Sequence, residues 1–265
     1  MPVPELSDLN TAPLFALSNS LQELQVNAPD GVSNISVPSK VLFVFEFKVR
    51  LPANATVAYK LQVEDHSSKI VVKEIGGRLP QSGCPTRHIN EDLSLCIGYE
   101  QNALKGISNV TVAKDWWVAL ELHLRCQEIA SVCKTWPKKY EVSHGDASTI
   151  QMKAETLAGK LGLLDDYRNG LSTGAGRFGE ELVKIRRGED RPPILLNLRG
   201  RCPCGYTDKC GRGHIRKKCP RQKDVAMLVK LEWDRRKAEK EFWKPWNKRN
   251  AVCCGTMKDC PLRLK

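Results

Sequence analysis

The residues best suited to chemistry in this sequence surround one cysteine: Pro85-Thr86-Arg87-His88-Ile89-Asn90-Glu91-Asp92-Leu93-Ser94-Leu95-Cys96-Ile97-Gly98. A thiolate is the attacking species of such a residue, and a free cysteine with a pKa of about 8.5 is only partly ionised at neutral pH. A nearby imidazole, or a turn of backbone N–H groups, lowers that pKa. Exchange of an acyl group through the sulfur builds negative charge on a carbonyl oxygen, which needs a donor about 3 Å away. His88 can be that donor, or the general base toward an attacking amine. Asn90 is better suited to holding the loop, because asparagine accepts left-handed turns and bonds to nearby backbone. Without these flanks, a cysteine between Leu95 and Ile97 would read as a small buried hydrophobe. Cys84, Cys126 and Cys133 read as structural.

A second group crowds the last quarter of the chain. Cys202-Pro203-Cys204-Gly205 is followed by Cys210, His214 and Cys219. Zinc takes four nitrogen or sulfur ligands in a tetrahedron, usually as two close pairs. The Cys-x-Cys gap is tight, but Gly205 and Gly211 make sharp turns easy. Cys202, Cys204, Cys210, His214 and Cys219 are the candidate ligands, and a structural zinc would order a segment too small for its own core. Cys253, Cys254 and Cys260 suggest part of a second site, with no His or fourth Cys near them in sequence.

The charge divides as the cysteines do. From residue 196 onward there are 20 Lys and Arg against 7 Asp and Glu, a balance of +13; the chain total is +12, which leaves −1 for residues 1–195. A basic tail can attract nucleic acid or an acidic protein surface, or be a solvated face. Eleven cysteines in a chain of 265 residues, with no basic region and apolar stretch at the N-terminus, point to metal binding or thiol chemistry in the cytoplasm, not to export. Apolar runs such as Val41 to Phe45 are far shorter than the roughly 20 residues of a bilayer span.

The elements that must position these residues are legible in the periodicity. The stretch from Ala12 to Val26 suggests a short amphipathic helix ended by Asn27-Ala28-Pro29-Asp30-Gly31. Val41–Val49, Thr56–Val63 and Lys69–Ile75 read as three antiparallel strands of a meander, which Gly76-Gly77 and the prolines at 80 and 85 terminate. A helix is expected over Val112–Cys133, with Trp116, Trp117, Ala119, Leu120, Leu122, Leu124 and Ile129 on a wide apolar face. Others are expected over Ala147–Leu164, Phe178–Ile185 and Asp224–Trp243, the last with Val225, Leu228, Val229 and Trp233 inward. Pro192–Leu198 suggests a short strand.

A meander, then a cysteine loop, then helices resembles the ubiquitin-conjugating enzymes. Asn90-Glu91-Asp92-Leu93-Ser94-Leu95-Cys96 reproduces most of the spacing of the family's Asn-x-x-Gly-Ser-hydrophobic-Cys. The eukaryotic members place the Asn of a His-Pro-Asn triplet eight residues before the Cys; here that position is His88, and Leu93 replaces the small turn residue. A His at that place resembles the bacterial relatives encoded beside cGAS-like nucleotidyltransferases in anti-phage operons of the CBASS type, and the Trp-rich helix and Cys-Pro-Cys-Gly tail fit that group. The tail is also similar to a small zinc motif appended to many bacterial proteins, whose ending Lys217-Lys218-Cys219 matches, with Pro220 in place of the last ligand.

The resemblance, which spans about residues 38–140, implies an α+β fold: a ubiquitin-conjugating-enzyme-like antiparallel β-meander packed by helices, followed by a small Cys-rich, zinc-bound C-terminal region. The expected units are a catalytic domain over 1–140, a helical extension packing on it over 141–195, and a basic Cys-rich tail over 196–265. The implied activity is that of a transferase in anti-phage defence. Cys96 would carry the C-terminus of a cGAS-like nucleotidyltransferase or ubiquitin-like protein as a thioester and pass it to a lysine amine. His88 would stabilise the oxyanion or take a proton, and Asn90 would support the loop. With no adenylation-type phosphate loop in the chain, activation would come from a partner. The alternative is a non-catalytic zinc-containing module that binds nucleic acid or protein, with Trp233, Phe242, Trp243 and Trp246 stacking on bases; packing of these rings against the main domain is the favoured account.

Overall fold

The computed structural model describes residues 17–67, 69–99, 106–179, 181–186, 192–207, 209–249 and 253–263. Its N-terminal half is built on a four-stranded antiparallel meander in the order β1 (Val32–Ser39), β2 (Leu42–Arg50), β3 (Thr56–Asp65), β4 (Ile70–Glu74). The alternating pattern of β2 sends Phe43, Phe45, Phe47 and Val49 to one buried face, and β3 sends Tyr59, Leu61 and Val63 to the same face, as a period of two requires. The register sets Phe45 opposite Leu61 and Phe47 opposite Tyr59. Strand β1 was not expected. Its sequence, Val32-Ser33-Asn34-Ile35-Ser36-Val37-Pro38-Ser39, is polar, its pairing with β2 slips twice, and none of its residues is fully buried. An edge strand needs only its inner row of backbone bonds, so hydrophobic alternation does not announce it.

Helix α1 (Asn19–Val26) is capped by Ser18, whose hydroxyl accepts from the Leu21 N–H, and buries Leu21 and Leu24; residues 12–16 of the expected helix lie outside the described residues. Helix α2 (Val110–Cys133) starts at Asn109, whose side chain accepts from Val112 N–H at 3.1 Å. It lays Trp116, Trp117, Leu120 and Leu124 on the sheet; Leu122 and Ile129, expected on that face, are exposed. Trp117 meets Phe45 and Phe47 edge-on at 5.2 and 5.7 Å and donates its indole N–H to the carbonyl of Leu24 at 3.0 Å. One ring therefore ties α1, α2 and the sheet together, with its polar atom satisfied.

The C-terminal half has a core of its own. Helices α3 (Asp146–Lys160), α4 (Leu164–Thr173) and the long α5 (Gln222–Lys248) bury Ala154, Ala158, Tyr167, Val225, Leu228 and Val229 together with Phe178, Leu195, Cys202, Cys204 and Cys219. The stretch 141–195 and the tail thus share one core. The helix expected over 147–164 breaks at Leu161-Gly162, where Gly162 takes φ +67°. The side it buries is mostly small (Ala147, Ser148, Gln151, Ala154, Ala158), which allows close approach to α5. Among the described residues no helix forms over 178–185: Gly179 sits so near the backbone of Gly174 that a Cβ would collide with it, and Ile185–Arg186 pair instead with Ile194–Leu195 as β5 and β6. That pairing reduces the strand expected over 192–198 to two residues. On α5, Val225, Leu228 and Val229 face inward as expected, whereas Trp233 is largely exposed.

At its centre α5 holds Glu232, fully buried, between Arg235 and Arg236 (each 2.7 Å) and the hydroxyl of Tyr167 (2.8 Å). Burial works against the carboxylate charge, but these three donors hold its pKa below the usual range. Beyond α5 the chain returns to the first core, where Met257, Cys260 and Leu262 are buried among the residues of the sheet domain. No described helix is long and apolar enough to cross a membrane.

Candidate active site

Between β4 and α2 the chain forms a compact loop held by its own backbone. Glu74, at the end of β4, accepts the N–H groups of Gly76, Arg78 and Leu79, which fixes the turn. Cys84 and Ile89 exchange two backbone bonds, Leu95 donates to the carbonyl of Val72, and Cys96 donates to the carbonyl of His88, both at 2.8 Å. The last bond sets the sulfur-bearing residue beside the histidine eight positions upstream. Two residues adopt left-handed backbone, His88 (φ 53°) and Leu93 (φ 65°), a conformation costing roughly 1–2 kcal/mol for non-glycine residues. Asn90 lies in the intervening turn, exposed, with its amide donating to the Ser94 hydroxyl at 2.9 Å while Asp92 accepts from both the Ser94 N–H and hydroxyl. Its contacts hold the loop and do not face the sulfur.

Cys96 is half-buried at the rim of a pocket of about 200 Å³ lined also by His88, His123, Cys126, Leu122 and Trp136. The pocket is mostly apolar, and the side chains with polar atoms that line it are two imidazoles, two thiols, Trp136 and Tyr140. Burial pushes the Cys126 thiol up to about 11, so this second sulfur stays protonated. His123 is pulled down to about 3, chiefly by burial and secondarily by the Arg87 charge, against a bond to the Cys96 carbonyl that favours the proton. Its tautomer follows from its neighbours. Gln127 accepts from Arg87 Nε and donates to the Arg87 carbonyl, so its amide nitrogen also faces His123 Nε2, at 2.9 Å. Nε2 is therefore an acceptor, and the proton on Nδ1 goes to the carbonyl of Cys96.

His88 is 4% exposed. It is packed between Trp136, 4.7 Å away, and His144, stacked at 4.9 Å with 6° between the planes. Burial lowers its pKa well below 6.5, and His144 and His123 lower it further; the ring is neutral at pH 7. His144 is the opposite case. One ring nitrogen lies 2.6 Å from a carboxylate oxygen of Glu239, and the other 2.9 Å from the carbonyl oxygen of Pro85. Both partners are acceptors, so both nitrogens must donate, and the ring is an imidazolium. Burial opposes that charge, but Glu239, the Pro85 carbonyl and Glu141 outweigh it and raise the pKa. His144 and Glu239 escaped the sequence reading because they lie 56 and 151 positions after His88, and only tertiary folding makes them neighbours. Phe242 and Trp243, both half-buried, pack against His144 at 4.8 and 5.3 Å.

In the C-terminal half, Cys202, Cys204 and Cys219 are buried with their sulfurs all within 4.8 Å of one another, Cys204 and Cys219 at 3.4 Å. Three thiols at such spacing fit a thiophilic ion. Cys210, exposed, and His214, half-buried, stand outside that group. Two isolated bridges, Arg201 with Ile215 and Thr207 with Gly213, fold the intervening turn.

Residues 32–138 match the family model described as a prokaryotic E2 domain, and residues 143–262 match the model described as a cysteine-rich domain, C-terminal to the E2 domain. The first match takes in β1, six residues before the resemblance read from the sequence. Comparison with curated proteins and with solved structures gives no match.

Proposed function

We propose, from the premise that this chain is an E2-like bacterial protein carrying its cysteine-rich domain behind the E2 domain, that it is a cysteine acyltransferase of protein conjugation. The observation that carries this reading is Cys96 at the rim of a pocket beside a buried, neutral imidazole, His88. In the first step the Cys96 thiolate attacks the activated C-terminal carbonyl of a donor protein; a thioester forms and the activating partner's leaving group departs. In the second, a lysine amine attacks that thioester, the C–S bond breaks, and an amide forms. His88 is uncharged and so able to take the proton the amine sheds, or to donate its N–H to the oxyanion. His123 steadies the Cys96 carbonyl, and Asn90 holds the turn.

The donor proposed is a cGAS-like nucleotidyltransferase or a ubiquitin-like protein, in an anti-phage operon of the CBASS type, charged by a separate activating partner. Zinc is proposed as a structural ion on Cys202, Cys204 and Cys219, with Cys210 or His214 as fourth ligand; bound there it would supply cross-links and no step of the transfer. A tail used for nucleic-acid binding is the weaker reading, since Phe242 and Trp243 are packed against His144.

The test is to purify the chain with the products of its neighbouring genes and resolve it with and without reducing agent. A thiol-sensitive adduct that is absent in Cys96→Ala supports transfer. Absence of any adduct, with salt-dependent nucleic-acid binding that Cys96→Ala leaves intact, overturns it.

A further inference from the structure

Four cysteines outside both sites described so far converge where the C-terminal segment returns to the sheet domain. Cys84 opens the active-site loop and is buried; Cys260 is buried; Cys253 and Cys254 are half-buried. The sulfurs of Cys84 and Cys254, 170 positions apart, lie 2.7 Å from each other, and the thiol of Cys253 interacts with that of Cys260. They form two pairs; the four are looser than the Cys202 group, in which every separation is within 4.8 Å. The fourth cysteine absent from the sequence around 253–260 is thus supplied by the E2 domain.

Hydrogen-bond donors surround these sulfurs. Backbone N–H groups point at three of them: Gly255 at Cys253 (3.4 Å), Thr256 at Cys254 and Arg87 at Cys84. Gly255, at φ +72°, makes the tight turn that aims the first of these, a conformation open to glycine at little cost. The Thr256 hydroxyl lies 3.1 Å from the Cys254 sulfur.

The strongest observation is Arg87. Its guanidinium is 4% exposed, and its hydrogen bonds go to neutral oxygens, Oε1 and the carbonyl of Gln127 and the Thr256 hydroxyl. A buried guanidinium calls for a counter-charge. The Thr256 hydroxyl that it meets lies 3.1 Å from the Cys254 sulfur, which sets the guanidinium beside the Cys84–Cys254 pair.

We propose that Cys84, Cys253, Cys254 and Cys260 are the ligands of a second thiophilic metal site, of the class that takes zinc, and that this ion clamps the C-terminal segment to the base of the Cys96 loop. Four thiolates on one divalent ion leave a net double negative charge, which Arg87 partly offsets. Closure brings the two pairs onto one centre with metal–sulfur distances of about 2.3 Å. Binding releases the thiol protons and oxidises nothing.

The experiment measures zinc per chain in the full-length protein by elemental analysis, for the wild type, Cys254→Ser/Cys260→Ser and Cys202→Ser/Cys219→Ser. The first double variant should carry about one equivalent fewer than the wild type, whatever the Cys202 group holds. Because misfolding of that variant would also cost it metal, the wild type is alkylated and mapped by peptide mass spectrometry as well. Cys84, Cys253, Cys254 and Cys260 should react together only after a chelator is added, while the exposed Cys133 reacts at once. Alkylation of the four without chelator, unchanged zinc in Cys254→Ser/Cys260→Ser, or a Cys84–Cys254 disulfide in protein isolated under non-reducing conditions would each overturn the site.

Discussion

The imidazole of His88 lies flat on that of His144, with centroids 4.9 Å apart and planes within 6° of parallel. One ring is neutral and the other charged, and the two belong to different cores. His88 comes from the loop of the E2 domain, and His144 is fixed by Glu239 of α5. A cation stacked on a neutral base resists protonation of that base. The cysteine-rich half therefore sets a charged ring directly on a neutral imidazole of the first half.

Replacing His88 by Gln removes the proton acceptor and keeps a hydrogen-bonding side chain. Charging of Cys96 should persist, while transfer to lysine falls about 100-fold, the usual contribution of one positioned acid or base. Single-turnover discharge of the preformed thioester measures this, and equal loss of charging and discharge would count against a proton-transfer role.

His144→Gln and Glu239→Gln should act through His88. Without the neighbouring imidazolium, the His88 pKa rises from its depressed position, and the acidic limb of the discharge pH profile moves to higher pH. A purely structural effect would lower the rate without moving the limb.

Stability gives an independent check on the same pair. The raised pKa of His144 means that its contribution is fully present below its unfolded value of about 6.5 and is lost as pH rises through the folded value. His88 and His123, with lowered values, give stability that is present above about 6.5 and lost as pH falls. Denaturant unfolding across pH should therefore show His144→Gln flattening the alkaline decline and shrinking the His88 part of the acidic decline, while the His123 part stays in place. The loss at pH 6 should be about 2 kcal/mol, the scale of hydrogen bonds to a charged group.

Glu232→Ala strands Arg235 and Arg236 beside Tyr167 in the second core. Breaking such a buried set costs about 3–5 kcal/mol, so the variant should melt well below the wild type, by calorimetry or far-UV dichroism. Since the folded pKa of Glu232 is lowered, its stabilisation in the wild type is present above about 4.3 and fades as pH falls through the folded value.

Met257→Ala should destabilise the E2 domain, although the residue lies more than a hundred positions beyond it. Met257 is 1% exposed and packs in the sheet domain's core. Truncating a buried methionine costs about 2–5 kcal/mol. Hydrogen exchange should show faster opening of β2 and β3, and unchanged exchange there would refute the dependence.

The meander, the long Trp-rich helix and the Cys96 loop were legible in the sequence because each rests on local signals: alternation through Phe43, Phe45 and Phe47, the apolar spacing of Trp117, Leu120 and Leu124, and the eight-residue step from His88 to Cys96. What was hidden was non-local. Strand β1 is polar because one edge of it faces solvent. The 178–185 segment has helical spacing, but Gly179 is pressed against Gly174 and cannot continue a helix there. His144 and Glu239 carry no motif. Cys84 looked like a solitary structural thiol because its neighbour Cys254 is 170 residues away.

The return of Met257, Cys260 and Leu262 to the sheet domain also sets a timetable for the nascent chain. A ribosome adding roughly 5–20 residues per second exposes the strands and the Cys96 loop well before these last apolar side chains emerge. Until then the N-terminal core has an open flank, and the loop has no floor beneath Cys84. The Cys96 loop would thus gain its final support only once residues 257–262 have been made, and a product that stops before them would hold this cysteine in an unfinished setting.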